Sequence, residues 1–302
     1  VLGIINDLAK AIDVGELETV KLLLTQLGKT KFYKKIKPTP FDEAVSLIWY
    51  LENVFYHSAS TIYTYIKRHI FNKAALDNSI FDFGFWPGGD RDGNPYVTPE
   101  ITLKTAESLK FSILRNYFRE IRKMKRSLTF NGLEERLDAL ESDLYATLFS
   151  KKKPDYFNIE YFEKALDEIY HIIVNQTDGL YESLILDLKH KVKIFGFHFA
   201  SLDIRQDSRI HKQVFDEIFS HPHIRKYLEG LPENFDELDT ASRHKVLTTL
   251  KGDVPSDIFE TTITKETLGS IRAMRVIQQR NGERGCNRYI ISNCQTIDNI
   301  LE

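Results

Sequence analysis

Residues 86–98 read WPGGDRDGNPYVT and combine three charged side chains with a flexible backbone. The pair Gly88-Gly89 permits backbone angles and close approaches that other residues cannot adopt, and Gly93-Asn94-Pro95 is typical of a turn. Flanking carboxylates would hold the central arginine in place, and a fixed guanidinium offers a fork of donors to a carboxylate or phosphate. The segment therefore predicts either an anion site or a salt-bridged structural turn, built from Asp90, Arg91 and Asp92.

Asp90 and Asp92 are also candidate metal ligands. A calcium loop of the EF-hand kind needs glycine at its sixth position and glutamate at its twelfth, where this sequence has Pro95 and Ile101. A phosphatase-type D-x-D-G motif needs an apolar strand running directly into the first aspartate, whereas Trp86-Pro87-Gly88-Gly89 intervenes. The calcium loop is excluded, and a phosphatase that binds Mg²⁺ through Asp90 and Asp92 remains an alternative.

A second group of charged residues lies in LDIRQDSRIH at 202–211. On a strand Asp203 and Arg205 would point to the same side, and a helix is predicted to begin around Arg209. An arginine where a buried strand gives way to a helix is typical of the mouth of an α/β site. The alternative is a structural salt bridge from Arg205 to Asp203 or Asp207.

Other reactive side chains give weaker signals. His221 and His223 lack the ligand spacing of a zinc site and are interpreted as exposed loop histidines, with His211 nearby in sequence. Cys286 and Cys294 are interpreted as reduced thiols. The lysines at 151–153 are interpreted as part of a solvated turn.

The elements that must position these residues are mostly helical. Apolar residues at three-and-four spacing predict helices from Pro40 towards Ile70, from Pro99 to about 126, and over about 133–149, 158–175 and 180–191. Thr39-Pro40 and Thr98-Pro99 each place a capping threonine before a proline at the first helical position. Residues 150–158 are predicted to be a loop, and 220–260 a variable surface excursion with one helix around 236–250.

Two segments follow a strand pattern instead. KIFGFHFASLDIRQD alternates, with Phe195, Phe197 and Phe199 on one face and Ala200, Leu202 and Ile204 on the other. RYIISN at 288–293 is a second candidate for a short buried strand. The sequence therefore predicts a predominantly α-helical protein with a few buried β-strands, as in part of an α/β core.

Charge and hydropathy limit the function classes. The 302 residues include 41 basic and 43 acidic side chains, a formal net charge of −2, so no global field favours nucleic acid or membranes. Neither a leader peptide nor an apolar run of about eighteen residues occurs, so neither export nor membrane spanning is predicted and the cytoplasm is the expected location. Any anion site must be local.

Four motifs in order resemble phosphoenolpyruvate carboxylase. KPTPFDEA at 37–44 looks like the family's R-P-S-P-x-D-E-A, residues 86–98 like W-M-G-G-D-R-D-G-N-P-x-V-T, residues 202–211 like L-D-I-R-Q-E-S-x-x-H, and YIISN at 289–293 like Y-V-I-S-M. Together they cover roughly residues 37–293. Pro87, Asp207 and Asn293 depart from the family's methionine, glutamate and methionine.

The resemblance implies a mostly helical enzyme around a TIM-like, eight-stranded β-barrel, with the active site at the carboxyl ends of the strands. It implies carboxylation of phosphoenolpyruvate by bicarbonate to oxaloacetate and phosphate, an anaplerotic carbon fixation that feeds the tricarboxylic acid cycle. It also implies Mg²⁺ or Mn²⁺ as cofactor and a homotetrameric parent. Phosphoryl transfer to bicarbonate would give carboxyphosphate and an enolate, which then attacks CO₂.

Residue roles follow by motif. Arg205 would bind the anionic phosphoenolpyruvate, Trp86 matches the tryptophan associated with bicarbonate use, and Arg91 with Asp90 and Asp92 would form the neighbouring barrel mouth. Arg205 and Arg91 are thus the expected catalytic residues, and Trp86, Asp90, Asp92 and Arg205 the expected substrate-binding residues.

Other family motifs do not occur in this sequence. The T-A-H-P-T-E string with the catalytic histidine is missing, as are the H-G-R-G-G-S-I-G-R-G-G loop and the acidic metal ligands, so no metal ligand is expected within this chain. We therefore expect residues 1–302 to be a single partial domain of a larger enzyme, inactive alone. Within it, 37–126 would hold the helices flanking the GGDRDGNP loop and 192–211 a barrel strand with the following helix start. A non-catalytic helical anion-binding or regulatory module is the alternative.

Overall fold

The computed structural model describes residues 1–31, 37–71, 80–92 and 94–302, so Gly93 of the predicted turn lies outside the described residues. The chain divides into two compact units, Val1–Thr39 and Pro40–Glu302. The first contains the helices α1 (Leu2–Asp13) and α2 (Leu17–Lys29), which pack on each other. The second contains every predicted site residue. The assignment of the whole chain to one partial domain stays a prediction.

The larger unit is mostly helical, as the sequence predicts. Thr98 caps its longest helix, accepting a hydrogen bond from the Ile101 amide at 3.4 Å, and Pro99 occupies the first helical position. The predicted helices are therefore confirmed within a few residues. They are α3 (Pro40–Tyr50), α4 (Tyr56–His69), α5 (Pro99–Met124), α6 (Glu134–Phe149), α7 (Ile159–Gln176) and α8 (Glu182–Phe195).

A π-helical turn, Leu51–Phe55, joins α3 to α4 and places Glu52 on the buried side. The Glu52 carboxylate accepts from Arg115 at 2.6 Å, from Arg119 at 2.7 Å and from the Ser112 hydroxyl at 3.0 Å. Because all three donors lie on α5, this carboxylate links the continuous segment from α3 to α4 with α5.

The strand predicted across 193–200 is wrong. Residues up to Phe195 belong to α8, Gly196 ends that helix with φ +51°, and Phe199 has φ +66°. The alternating phenylalanines are buried for another reason, since Phe195 stacks on Tyr56 and Phe197 on Phe157. A helix end followed by a tight turn thus reproduced a period that is typical of strands.

Extended structure begins only after that turn, with β2 (Ser201–Leu202) and β3 (Ile204–Asp207), followed at once by α9 (Ser208–Ser220). Two segments pair in parallel with it: β1 (Gly84–Phe85) with β2, and β6 (Tyr289–Ser292) with β3. Arg205 faces Ile290 in this register, and Asp90 forms an isolated parallel bridge to Arg205. Residues 201–207 are therefore the middle of three parallel segments.

These segments confirm the strand predicted at 288–293, although β6 is half-buried rather than buried. Within the described ranges the strands form two-stranded sheets, and an eight-stranded barrel is not seen there. The third sheet pairs β4 (Leu228–Glu229) with β5 (Lys251–Gly252) in antiparallel fashion.

Residues 220–260 surround that small sheet and contain α10 (Thr240–Thr249), close to the helix predicted at 236–250. A separate apolar cluster of Ile224, Val254 and Phe259 holds this excursion together. The chain continues through α11 (Thr262–Asn281) and ends with α12 (Asp298–Leu301). Of the helices in the described ranges, none is long and apolar enough to cross a membrane.

Candidate anion site at the strand ends

The glycine pair lets the loop that begins at Trp86 approach the central strand. A Cβ on Gly89 would lie 2.1 Å from the Asp203 carbonyl oxygen, and one on Gly88, which has φ +84°, would lie 2.3 Å from the Thr105 hydroxyl. No other residue type fits either position without displacing the backbone or Thr105. Both glycines are therefore required by the packing of this loop.

Hydrogen bonds hold the loop in parallel register with residues 201–207. The Asp203 amide donates to the Phe85 carbonyl at 3.0 Å, and the Arg205 amide to the Gly89 carbonyl at 3.0 Å. Between these two hydrogen bonds the strand advances by two residues and the loop by four, so residues 86–88 bulge outward. The bulge leaves the Trp86 side chain half exposed beside Arg205.

Side chains alternate in direction as the loop resumes extended structure at Asp90. The Arg205 guanidinium lies 2.7 Å from Asp92 (Nη2 to Oδ2) and 3.5 Å from Asp90 (Nη1 to Oδ2). Arg91 points the other way and is 5% exposed. The two aspartates therefore hold an arginine from a distant part of the chain and not the arginine between them, which corrects the prediction.

Arg91 is held instead by α11. Its Nη1 donates to the Glu266 carbonyl at 2.6 Å and its Nη2 to the Glu266 carboxylate at 3.1 Å. Burial lowers the pKa of the Arg91 guanidinium, and Glu266 opposes that shift. Arg91 is thus placed behind the loop, where it connects Asp90 and Asp92 to the helix.

Arg205 is the accessible cation of the group. Its side chain is 29% exposed and its guanidinium carbon lies 5.5 Å from the centre of the Trp86 ring, within range of a cation–π contact. A guanidinium has five N–H donors, and the two aspartates face only one on each terminal nitrogen. The remaining donors can bind a planar or tetrahedral oxyanion.

The neighbouring charged residues have ion-pair partners other than Arg205. Arg209 donates to the Asp207 carboxylate through Nε at 2.8 Å and Nη2 at 2.6 Å, and Asp203 accepts from Arg288 at 2.7 Å. The alternative in which Arg205 pairs with Asp203 or Asp207 is therefore wrong. Asp207 also caps α9, accepting from the Arg209 amide at 2.8 Å.

The net charge of this surface is not positive. Arg205 and Arg209 face three carboxylates, those of Asp90, Asp92 and Asp207, while the Arg91 charge is buried against Glu266. An incoming anion would gain the free donors of Arg205 but would also meet an excess of negative charge. We expect weak anion binding from these residues alone.

The described residues do not fit a metal ion. No group of three or more His, Cys, Asp or Glu side chains that could hold one is found among them, and Asp90 and Asp92 are both engaged by Arg205. This engagement argues against the phosphatase alternative. His221 and His223 follow the end of α9, where His223 is exposed and His221 half-buried, whereas His211 is buried within α9 against Tyr289.

The two thiols are free, and they differ in environment. Cys286 is buried, and burial raises the pKa of its thiol to about 12, whereas Cys294 is exposed.

Comparison with known proteins decides the family. The family model described as phosphoenolpyruvate carboxylase matches residues 15–147 and 131–302. The chain belongs to the phosphoenolpyruvate carboxylase family. The resemblance noted from the four motifs is thereby confirmed over most of the sequence.

Relatives in the family are distant. The phosphoenolpyruvate carboxylase of Nitrosomonas eutropha is 29% identical over 94% of this chain and 35% of its own length. Those of Thermosynechococcus vestitus and Trichormus variabilis are 30% and 27% identical, over 73% and 91% of this chain and 26% and 31% of their own lengths. The chain spans about a third of the length of the phosphoenolpyruvate carboxylases it matches.

The fold of the chain brings together Trp86, Asp90, Asp92 and Arg205 where the loop after β1 meets β3, and it excludes Arg91 from that surface. Sequence reasoning missed Glu266, the partner of Arg91, and Arg288, the partner of Asp203. Neither has a local sequence signal, because each pair joins segments far apart in the chain. The Arg209–Asp207 pair did have a local sequence signal, since Arg209 follows the capping Asp207 by two residues.

Proposed function

We propose that this chain is part of an enzyme that carboxylates phosphoenolpyruvate with bicarbonate, giving oxaloacetate and inorganic phosphate. Family membership supports the reaction class, and the accessible guanidinium of Arg205 on β3, beside Trp86, supports the substrate class. Phosphoenolpyruvate carries a phosphate and a carboxylate, and both match a guanidinium with free donors.

Arg205 is proposed to bind the substrate anion, and the single observation behind this is its geometry. Asp92 at 2.7 Å and Asp90 at 3.5 Å fix its orientation, and Trp86 covers one side of it. A preorganised cation loses little entropy when it binds an anion, and it stabilises charge that develops during phosphoryl transfer. Trp86 would border the place of the second reactant, bicarbonate.

Arg91 is proposed to act through the backbone. Its amide donates to the Arg205 carbonyl at 2.9 Å while its side chain is fixed by Glu266. A group that does not reach the site surface is a positioning residue, so the catalytic role expected for Arg91 becomes a structural one in this proposal.

The isolated chain is proposed to be catalytically incomplete. The local excess of carboxylates leaves little net attraction for a multiply charged substrate, and β6 is half-buried, as an edge strand awaiting a further neighbour would be. A general base for bicarbonate and a divalent cation, Mg²⁺ or Mn²⁺, would come from other parts of the parent enzyme. Assembly as a homotetramer and a cytoplasmic location belong to the same proposal.

The test is a titration of the 302-residue chain with phosphoenolpyruvate in the presence of Mg²⁺ and bicarbonate. Bound ligand is followed by calorimetry and released phosphate by a colorimetric assay. Arg205→Ala is compared with Arg68→Ala, which removes an arginine on α4 away from the strand ends.

We expect weak binding that is lost in the Arg205→Ala variant and kept in the control, with no phosphate released. Equal affinities for the two variants would refute the role of Arg205. Phosphate release by the chain alone would refute catalytic incompleteness.

A further inference from the structure

A cavity of about 460 Å³ lies between α5, the end of α6 and the end of α11. Leu103, Ala106, Leu114 and Ile277 form its apolar wall together with Phe111 and Leu148. The volume is in the range of sites that bind small organic molecules. The cavity is not lined by Trp86, Asp90, Asp92 or Arg205.

The charged residues of this cavity are unbalanced. Lys110, Lys153 and Arg280 face it together with a single carboxylate, that of Glu107. The larger neighbouring cavity, of about 870 Å³, shares Lys110 and Arg280 but is lined by four cations and four carboxylates. Only the smaller of the two therefore has a lining that favours an anion.

The charges of these three cations are not neutralised by ion pairs. Over the part of the chain that the structure describes, none of them forms an ion pair, and Lys110 donates only to the Arg280 carbonyl. Burial lowers the pKa of the Lys110 ammonium, and Lys153 and Arg280 lower it further. An ammonium has three donors, so at least two remain for a ligand. Lys153 belongs to the loop interpreted from sequence as a solvated turn.

We propose that this cavity binds an organic anion with an apolar body, such as an aryl-alkyl carboxylate. The carboxylate would lie among Lys110, Lys153 and Arg280, and the body would pack against the apolar wall and the edge of Phe111. A ligand of this class would cover the apolar wall and bring a negative charge to three cations that have no ion-pair partner among the described residues.

The site is independent of the proposed carboxylation chemistry. Thr102 on α5 donates to the Gly88 carbonyl at 2.6 Å, and Lys110 follows eight residues later, roughly 12 Å further along that helix. A ligand among the three cations therefore does not compete with an anion at Arg205. The two sites can be tested in separate variants of the same chain.

The experiment is a calorimetric titration of the 302-residue chain with 4-phenylbutyrate. Acetate serves as the anion without the apolar body, and 4-phenylbutanol as the body without the charge. The variants are Lys110→Met and Arg280→Met, with Lys151→Met as the matched control, because Lys151 is an exposed lysine of the same loop as Lys153 that does not line the cavity.

We expect 4-phenylbutyrate to bind, with acetate and 4-phenylbutanol each at least about tenfold weaker. Lys110→Met and Arg280→Met should each weaken 4-phenylbutyrate about tenfold, while Lys151→Met and Arg205→Ala should change its affinity less than about twofold. Lys110→Met also removes the hydrogen bond from Lys110 to the Arg280 carbonyl, so thermal unfolding of each variant without ligand is recorded and binding is compared below the temperature at which unfolding begins.

Four results would overturn the proposal. Equal binding of 4-phenylbutyrate and 4-phenylbutanol would show that the cations have no role, and equal binding of acetate would show that the apolar wall has none. Equal losses in Lys110→Met and Lys151→Met, or no binding of 4-phenylbutyrate at all, would place no such ligand in this cavity.

Discussion

Arg205 and Asp92 form a 2.7 Å ion pair across two parallel segments, and the arginine next to Asp92 in sequence turns away into the protein. The D-R-D motif is therefore a device for orienting a cation that another segment supplies. It works because successive side chains of an extended chain point in opposite directions.

Removing the Asp92 charge should favour anions in the isolated chain. Asp92→Asn takes a negative charge from beside Arg205, and a partly exposed pair of this kind is worth about 0.2–1 kcal/mol, so we expect inorganic phosphate to bind about 1.4- to fivefold more tightly. The measurement is a phosphate titration by calorimetry at low salt.

Asp90→Asn is the matched comparison, because Asp90 lies 3.5 Å from Arg205 and should matter less. Weaker phosphate binding in Asp92→Asn would show that orientation by Asp92 outweighs its charge.

A methyl group at Gly89 should not be tolerated. In Gly89→Ala the Cβ would lie 2.1 Å from the Asp203 carbonyl oxygen, and neither backbone can move without breaking the parallel register. We expect a loss of about 3 kcal/mol or more in the free energy of unfolding, measured by urea titration.

Gly28→Ala is the control, because nothing lies within 4 Å of its added Cβ and the position is helical. It should be neutral or stabilise by up to about 1 kcal/mol. Similar losses for both substitutions would contradict the close approach at Gly89.

The buried Arg91 should depend on Glu266. Glu266→Gln leaves the 5%-exposed guanidinium without its carboxylate, and removal of one partner from a buried pair is costly. Because Glu266 is itself partly exposed, we expect a loss of about 2 kcal/mol in the free energy of unfolding, measured by urea titration.

Asp216→Asn breaks the exposed Lys212–Asp216 pair and should change stability by less than about 0.5 kcal/mol. A Glu266→Gln variant as stable as this control would mean that Arg91 finds other partners.

Acid should destabilise the fold through His198. Burial lowers the pKa of this imidazole from its usual 6.5 to about 4, and Arg284 adds to the shift. Above pH 6.5 the contribution of His198 to stability is fully present, because both states are neutral. As the pH falls from 6.5 to 4 the unfolded state takes up a proton that the folded state does not, so the free energy of unfolding falls.

Uptake of one proton by the unfolded state alone lowers the free energy of unfolding by up to about 1.4 kcal/mol per pH unit. His190, whose pKa burial also lowers to about 4, acts in the same direction. His198→Gln should therefore flatten part of the slope between pH 6.5 and 4 in urea titrations, and His171→Gln, which changes an exposed histidine, should leave it unchanged. Parallel slopes for all three chains would rule out the assignment.

The sequence by itself determined the helices and the family. Caps such as Thr98, first-turn prolines and three-and-four spacing are local signals, so helix starts and extents were predicted closely. The motifs around Trp86 and Arg205 were sufficient to identify the family because their residue types and order are specific. The strands at 204–207 and 289–292 were also predicted from their apolar pattern.

Only the tertiary structure decided which charges meet. Arg205 pairs with Asp90 and Asp92, Arg91 with Glu266 and Asp203 with Arg288, and each pair joins segments that are distant in sequence. Local sequence patterns do not predict such long-range pairs. They also misled at 195–199, where a helix end and a left-handed turn buried alternate phenylalanines as a strand would. Long-range packing selects among local conformations of similar energy, and that selection becomes visible only in three dimensions.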